Sequence, residues 1–371
     1  TVRNDKTNNH NSHFETPGFR LISLSLVSVL FSAIAARYYT GQTPVVVFTN
    51  LVKGTSVYYE YQRYFAEAEI VTFSLSKLPY ILMLFYVKFM LFYGYLKLLL
   101  GKKKLRITDK IFLALVTIAH VYFGIARGTN FEIFELFILI VFVILSKFRG
   151  YSIKRSRLKQ VIFIAVFGFI LINVYYWSVT SRGVVFGYRI TSEIWYDSEG
   201  VVSILFPALA SVSTMLFGYF GFGFFYLSRF VIDVWLLTPG SFLAGLVPRG
   251  FELSGKGSIS AIMKRTIDMG PRWHPDASVF INDFGFLGLI VLCFFLGFIA
   301  ARLTNNPNRE PVKHLLLFVV ALQMVSLPIG NFVLVSSASK LLVLLVVLWL
   351  IWTRVKGTLS YAGVERTLRK H

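Results

Sequence analysis

The 371-residue chain is 56% hydrophobic and only 15% charged, whereas soluble proteins average roughly 45–50% apolar and about 25% charged residues. Its apolar residues form long runs, such as 111–126 and 341–352, that contain no Asp, Glu, Lys or Arg. This pattern excludes a soluble globular domain and an intrinsically disordered chain. It indicates a polytopic membrane protein, because each spanning helix needs about 20 mostly apolar residues.

The chain carries 38 Lys and Arg against 18 Asp and Glu, a formal charge of +20. Cytoplasmic loops of membrane proteins collect Lys and Arg, so we interpret the excess as a topology signal and expect no nucleic-acid partner. Cys293 is the only cysteine, which excludes a disulfide within the chain and a cysteine-based metal site.

Four clusters of Lys and Arg predict cytoplasmic segments at 101–110, 147–159, 302–313 and 354–371. Together they orient eight predicted crossings, at about 20–38, 74–100, 111–126, 131–147, 159–178, 284–301, 313–328 and 337–353. The predicted fold is an all-α transmembrane bundle with eight crossings and both termini in the cytoplasm. Ten or more crossings are reached if the stretch 200–237 adds a hairpin.

The crossings divide the chain into a polar cytoplasmic tail (1–20), one transmembrane domain (21–353) and a basic cytoplasmic tail (354–371). The domain includes a long external loop at about 179–283. Within that loop, 200–237 is apolar enough for two more crossings with a turn at 218–223, or for helices that lie in the outer interface.

The predicted external segments contain arginines, although the positive-inside rule places most Lys and Arg in cytoplasmic loops. They are Arg37, Arg63, Arg127, Arg182, Arg189, Arg229, Arg249, Arg265 and Arg272. Because the planar guanidinium matches phosphate and carboxylate oxygens, these residues predict an anionic ligand, and a diphosphate is the natural candidate at a membrane surface. The alternative is that they pair with lipid headgroups or with external acidic residues, namely Glu193, Asp197, Glu199, Asp233, Glu252 and Asp268.

Two histidines are candidate functional residues. His274 lies beside Arg272 and Asp276 just before an inward-going helix, where an imidazole can accept a hydroxyl proton without a metal. The alternative is a solvated or helix-capping histidine. His120 lies in the middle of a predicted helix, and an ionisable group there is a functional candidate or a neutral histidine bonded to a neighbouring helix.

The stretch Trp273-His274-Pro275, followed by Asp283-Phe-Gly-Phe-Leu-Gly288, resembles the late external loop of Wzy-type oligosaccharide repeat-unit polymerases and the related O-antigen ligases. Ala126-Arg127-Gly128 and the aromatic-Gly stretch 218–227 are also similar to motifs of that family. The similarity covers about 120–300, and the three motifs occur in the family's order. The ligases usually have His-Asn where this chain has His-Pro-Asp, which favours the polymerases.

The resemblance implies a GT-C-like glycosyltransferase in the bacterial inner membrane. It would join undecaprenyl-diphosphate-linked oligosaccharides on the outer face by metal-independent inverting transfer, without a cofactor. His274 would act as the base. The diphosphate would be bound by Arg182, Arg189, Arg265, Arg272 and Arg127, and sugars by Trp273, Trp195, Tyr196 and Asp276. The alternative for the aromatic residues is that they lie at the membrane interface without a catalytic role. The implied partners are the lipid-linked oligosaccharides, membrane lipids and a chain-length regulator protein.

Two alternatives remain open. Glu67 and Glu69 form an acidic pair in the first external loop, as in glycosyltransferases that use a carboxylate and a metal there, although an amphipathic surface helix explains the pair equally well. A transporter or flippase of an anionic lipid-linked glycan would instead need charged groups along a central pathway, for which Lys88, Lys97 and His120 are the candidates.

Overall fold

A computed structural model describes residues 18–53, 57–67, 75–100, 104–129, 131–148, seven positions between 166 and 176, 197–229, 275–304, 311–330, 337–349 and 351–352. Over these residues the regular structure is helical and contains no strand. The predicted all-α class is confirmed for this part of the chain.

Eleven helices with described bounds are numbered here in chain order, and the described positions between 166 and 176 are also helical. They are α1 Gly18–Thr40, α2 Pro44–Val52, α3 Val57–Glu67, α4 Leu78–Leu100, α5 Ile107–Arg127, α6 Phe131–Phe148, α7 Val201–Leu205, α8 Pro207–Arg229, α9 Asp276–Thr304, α10 Pro311–Ser326 and α11 Ser337–Trp349. A short 3₁₀ turn, Leu75–Lys77, leads directly into α4.

Four segments of the described chain are long and apolar enough to cross a membrane. They are Gly18–Thr40, Leu75–Leu100, Ile107–Arg127 and Phe286–Thr304. Two shorter apolar helices, Val312–Ser326 and Ser337–Trp349, coincide with predicted crossings. These four candidate spans support a membrane protein, and the full set of eight or more crossings stays a prediction.

The first three long spans lie close to their predicted positions. The third begins four residues earlier than predicted, at Ile107. Asp109 explains the early start, since its carboxylate accepts the backbone N–H of Arg106 at 2.9 Å and the Arg106 guanidinium at 3.3 Å. An acidic side chain that binds free N–H groups in the first turn stabilises a helix start.

The alternative of two further crossings with a turn at 218–223 is wrong. The structure continues one helix, α8, through all six of these residues, from Pro207 to Arg229. The glycines in this stretch therefore lie inside a helix. The predicted crossing at 284–301 is also extended, because α9 begins earlier, at Asp276.

Helices α4, α5, α6, α10 and α11 form a bundle around a main apolar core, and Ala35, Ala36, Val47, Phe123 and Ala126 form a smaller apolar cluster. Helix α1 packs against α4 and α5, and α10 packs against α4, α6 and α9. The core comprises Leu91, Phe92, Leu96, Phe112, Val116, Leu136, Leu139, Val143, Leu315, Phe318, Val319, Leu322, Ile329, Leu342 and Val346. Leu342 and Val346 bring α11 into this core, so α11 packs with helices of the first half of the chain.

Candidate functional site

A group of ionisable side chains lies inside the bundle. Lys88 Nζ of α4 donates hydrogen bonds to Glu135 Oε1 of α6 at 2.7 Å and to Ser339 Oγ of α11 at 2.8 Å. His120 Nε2 of α5 lies 3.4 Å from Glu135 Oε2. All four residues are buried, and Glu135 is completely inaccessible. We call Lys88, His120, Glu135 and Ser339 the buried cluster.

The buried cluster is balanced in charge around the Lys88–Glu135 pair. Charges removed from water are tolerated only when they are paired and hydrogen-bonded. The His120–Glu135 contact is longer than a typical hydrogen bond, and neither His120 Nε2 nor Glu135 Oε2 has another hydrogen-bond partner. Lys88 and His120 were sequence candidates for a transport pathway, and the structure brings both to one carboxylate.

A second polar group lies where α5 turns into α6. The Arg127 guanidinium binds the Glu132 carboxylate, and Thr129 Oγ1 donates to Glu132 Oε2 at 3.1 Å. The guanidinium also lies over the rings of Phe123, at 4.5 Å, and Tyr61 of α3, at 5.9 Å. Burial raises the pKa of the Tyr61 hydroxyl, and the nearby Arg127 charge opposes that rise.

Two glycines make this turn possible. Gly128 ends α5 with a φ of 61°, and its N–H donates to Ile125 O at 2.9 Å. A Cβ on Gly128 would lie 2.7 Å from the backbone nitrogen of Tyr58, and one on Gly124 would lie 2.7 Å from Glu132 Oε2. The Ala126-Arg127-Gly128 motif therefore closes α5 in a left-handed cap.

A third polar group joins the start of α9 to the end of α10. Gln323 Nε2 and Ser326 Oγ each lie 3.0 Å from Asp276 Oδ2 and donate to it. The Ala277 N–H donates to Leu327 O at 3.1 Å. Asp276, Gln323 and Ser326 are all buried. The structure thus places the predicted sugar-binding residue Asp276 in contact with another helix of the protein.

The other predicted site residues lie outside the described residues. These are His274, Arg182, Arg189, Arg265, Arg272, Trp273, Trp195 and Tyr196. Their roles stay predictions, as does the pairing proposed for Arg127 and a diphosphate. Glu67 is the last residue of α3, and Glu69 lies outside the described part. In the part of the chain that the structure describes, no three His, Cys, Asp or Glu side chains are grouped to hold a metal ion.

Several residues of these groups were not predicted from the sequence. Glu135 and Glu132 are the acidic residues of an otherwise apolar helix and lie three positions apart, a signal that was present in the sequence. Gln323 is a polar residue in an apolar run, and Ser339 lies in the polar stretch Ser336-Ser337-Ala338-Ser339-Lys340, so both give a weaker signal.

Comparisons of the chain with models of known protein families, with curated proteins and with solved structures find no match.

Proposed function

We propose that the protein is a membrane-embedded glycosyltransferase that polymerises lipid-diphosphate-linked oligosaccharide repeat units at the outer face of a bacterial inner membrane. The observation that carries this proposal is the placement of the buried ionisable groups of the bundle toward one end. The resemblance in the stretches around His274 and Arg127 identifies the class of reaction. In the predicted topology, the α5–α6 turn and the start of α9 both lie on the external side.

The helix geometry supports a one-sided arrangement. His120 is seven residues before Arg127, about 10 Å along α5, and Glu135 is about 6 Å from the first residue of α6. Toward the other end the described bundle is filled by the apolar core. Buried Asp109 at that end is bound to Arg106 in the helix cap. Chemistry on a lipid-linked substrate needs such a one-sided cluster, whereas translocation needs polar groups along both halves.

The proposed reaction uses the chain's own side chains. The acceptor hydroxyl oxygen attacks the anomeric carbon of the donor sugar while the bond from that carbon to the diphosphate oxygen breaks. His274 takes the hydroxyl proton, and arginines stabilise the charge that develops on the departing diphosphate. The Arg127 side chain is 21% exposed, although its guanidinium already binds Glu132 and its Nε is buried.

The test is His274→Ala in a host that lacks the parental protein, with surface glycan analysed as a gel ladder and the variant's membrane abundance measured in parallel. We expect loss of polymer, accumulation of lipid-linked single repeats and unchanged abundance. His314→Ala is the matched control, since His314 lies in the first turn of α10, at the predicted cytoplasmic end, and should leave the ladder intact. A normal ladder for His274→Ala at normal abundance would refute His274 as the base.

The buried cluster favours one second candidate, a transporter of an anionic lipid-linked glycan, because intramembrane ionisable residues often mark such pathways. Lys88→Met separates the two functions. A transporter defect leaves single repeats on the cytoplasmic side, where an externally added glycosidase does not reach them. A polymerase defect leaves them on the outer face, where the glycosidase cleaves them.

A further inference from the structure

Helix α2 is short, apolar and directly follows the first candidate span. Only residues 41–43 separate it from α1, and no Asp, Glu, Lys or Arg occurs between Arg37 and Lys53. Its nine residues make a helix about 13 Å long, which is too short to cross a bilayer. An uncharged segment of this kind needs a cover for its apolar surface, either from lipid or from protein.

The chain changes direction between α1 and α2. Gly41 has a φ of 69°, a left-handed conformation that glycine adopts without strain, and its N–H donates to Arg37 O at 2.8 Å. The Gln42 N–H donates to Thr40 Oγ1 at 3.2 Å. Helix α2 then packs against α3 and α5 of the described bundle, so it stays beside the other helices.

One side chain places α2 next to the last turns of two candidate spans. Val47 is only 1% exposed and belongs to the smaller apolar cluster with Ala35 and Ala36 of α1 and with Phe123 and Ala126 of α5. These four residues all lie within the last six residues of their helices, which is within about 8 Å of the helix ends. Helix α2 therefore lies at the level where these spans end.

Tyrosines occur at the same level. Tyr38, near the end of α1, stacks on Tyr80 in the first turn of α4, with ring centroids 3.7 Å apart. Tyr39 lies edge-on to Phe123 at 6.0 Å. Because tyrosine is enriched at membrane–water interfaces, these rings place α2 at the boundary between the hydrocarbon and the headgroups. In the predicted topology this is the outer boundary.

The surface of α2 that faces away from the bundle is apolar. Val45, Val46 and Phe48 are 74%, 44% and 69% exposed, and we call these three residues the outer face of α2. Thr49 is also exposed, but its hydroxyl donates to Val45 O at 2.8 Å, so it needs no water as a partner. Adjacent exposed apolar side chains are unfavourable in water, whereas an interfacial helix buries them in the acyl region.

We propose that α2 is an interfacial helix whose outer face is covered by the acyl chains of the outer leaflet. This inference goes beyond the proposed function and does not depend on it. It assigns a membrane-contacting segment to the first external loop. Helix α3 of the same loop differs from α2, because Glu60 and Arg63 form an ion pair at 2.6 Å on its exposed surface.

Spin labels on single cysteines of the full-length protein test this contact. Cys293→Ser supplies the cysteine-free background, and Val45→Cys and Phe48→Cys each add one site on the outer face. The labelled proteins are reconstituted in vesicles of phosphatidylethanolamine and phosphatidylglycerol. Collision rates are measured with oxygen, which concentrates in hydrocarbon, and with a water-soluble nickel chelate present on both sides of the membrane.

Two reference positions calibrate the measurement. Arg63→Cys is the aqueous control, because the Arg63 side chain is 67% exposed on the charged surface of α3. The parental Cys293, exposed on apolar α9, is the lipid reference. We expect the ratio of oxygen to nickel collisions at Val45→Cys and Phe48→Cys to be several-fold higher than at Arg63→Cys and close to that at Cys293.

Two results would overturn the inference. A ratio at both α2 positions as low as at Arg63→Cys would place the outer face in water. Low collision rates with both reagents would show that protein covers this face, and spin–spin broadening between labels would identify the cover as a second copy of the chain. Neither result bears on His274→Ala, so failure of this inference is distinguishable from failure of the proposed function.

Discussion

Lys88→Met removes the only cation that contacts Glu135 through a short hydrogen bond in the buried cluster. The Lys88 and Glu135 side chains are 7% and 0% exposed, and their charged atoms are 2.7 Å apart. At an effective dielectric constant of about 20, two charges at this distance attract by about 6 kcal/mol. Much of that attraction offsets the desolvation of both groups, so we expect the substitution to lower the free energy of unfolding by about 3–5 kcal/mol.

The double variant Lys88→Met/Glu135→Leu completes the test. Because it removes both charges and fills the space with apolar atoms, it should recover most of the stability lost in Lys88→Met. The measurement is the free energy of unfolding of the purified protein in detergent, from denaturant titrations of all variants under one condition. Lys97→Met is the control, since Lys97 is an exposed lysine of the same helix that lies over the ring of Tyr93. It should stay within about 0.5 kcal/mol of the parent.

The reasoning would be refuted by additivity. If the double variant is as unstable as the sum of Lys88→Met and Glu135→Leu, the two residues have no coupling free energy, and the pair does not stabilise the bundle. A loss in Lys88→Met no larger than that in Lys97→Met would refute it equally.

Three further predictions concern the α5–α6 turn and α9. Gly128→Ala should lower the unfolding midpoint, because alanine disfavours a φ of 61° by about 1–2 kcal/mol and its Cβ would contact the α3 backbone. The control is Gly297→Ala, whose added Cβ meets no atom within 4 Å and should be neutral or stabilising. Equal effects of the two substitutions on the unfolding midpoint would contradict this account. Arg127→Gln should destabilise the protein because it leaves the buried Glu132 without its cation. In thermal unfolding, Arg127→Lys should restore stability only in part, since lysine lacks the planar guanidinium that binds a carboxylate through two hydrogen bonds. Cys293 is exposed on the apolar surface of α9, so a charged maleimide should label it slowly in membrane vesicles and completely after denaturation in SDS; fast labelling in vesicles would place this surface in water.

Much of the fold could be predicted because it depends on local sequence. Each apolar run must satisfy its own backbone hydrogen bonds in hydrocarbon, so a run of sufficient length forms a helix at that position. This is why α1, α4 and α5 lie within a few residues of their predicted bounds. The cap at Gly128 also has a local signal, although its close approach to α3 does not.

The candidate sites depended on tertiary structure. Lys88 contacts Glu135 across 47 positions and Ser339 across 251, and Asp276 meets Gln323 across 47. Helix periodicity usually reveals the inward face of a helix through a polar stripe on the opposite face. A membrane helix such as α9 is apolar on all sides, because lipid and core are equally apolar. The sequence by itself therefore determined the positions of the long apolar helices such as α1, α4 and α5, and only the packing of the helices decided which polar side chains meet.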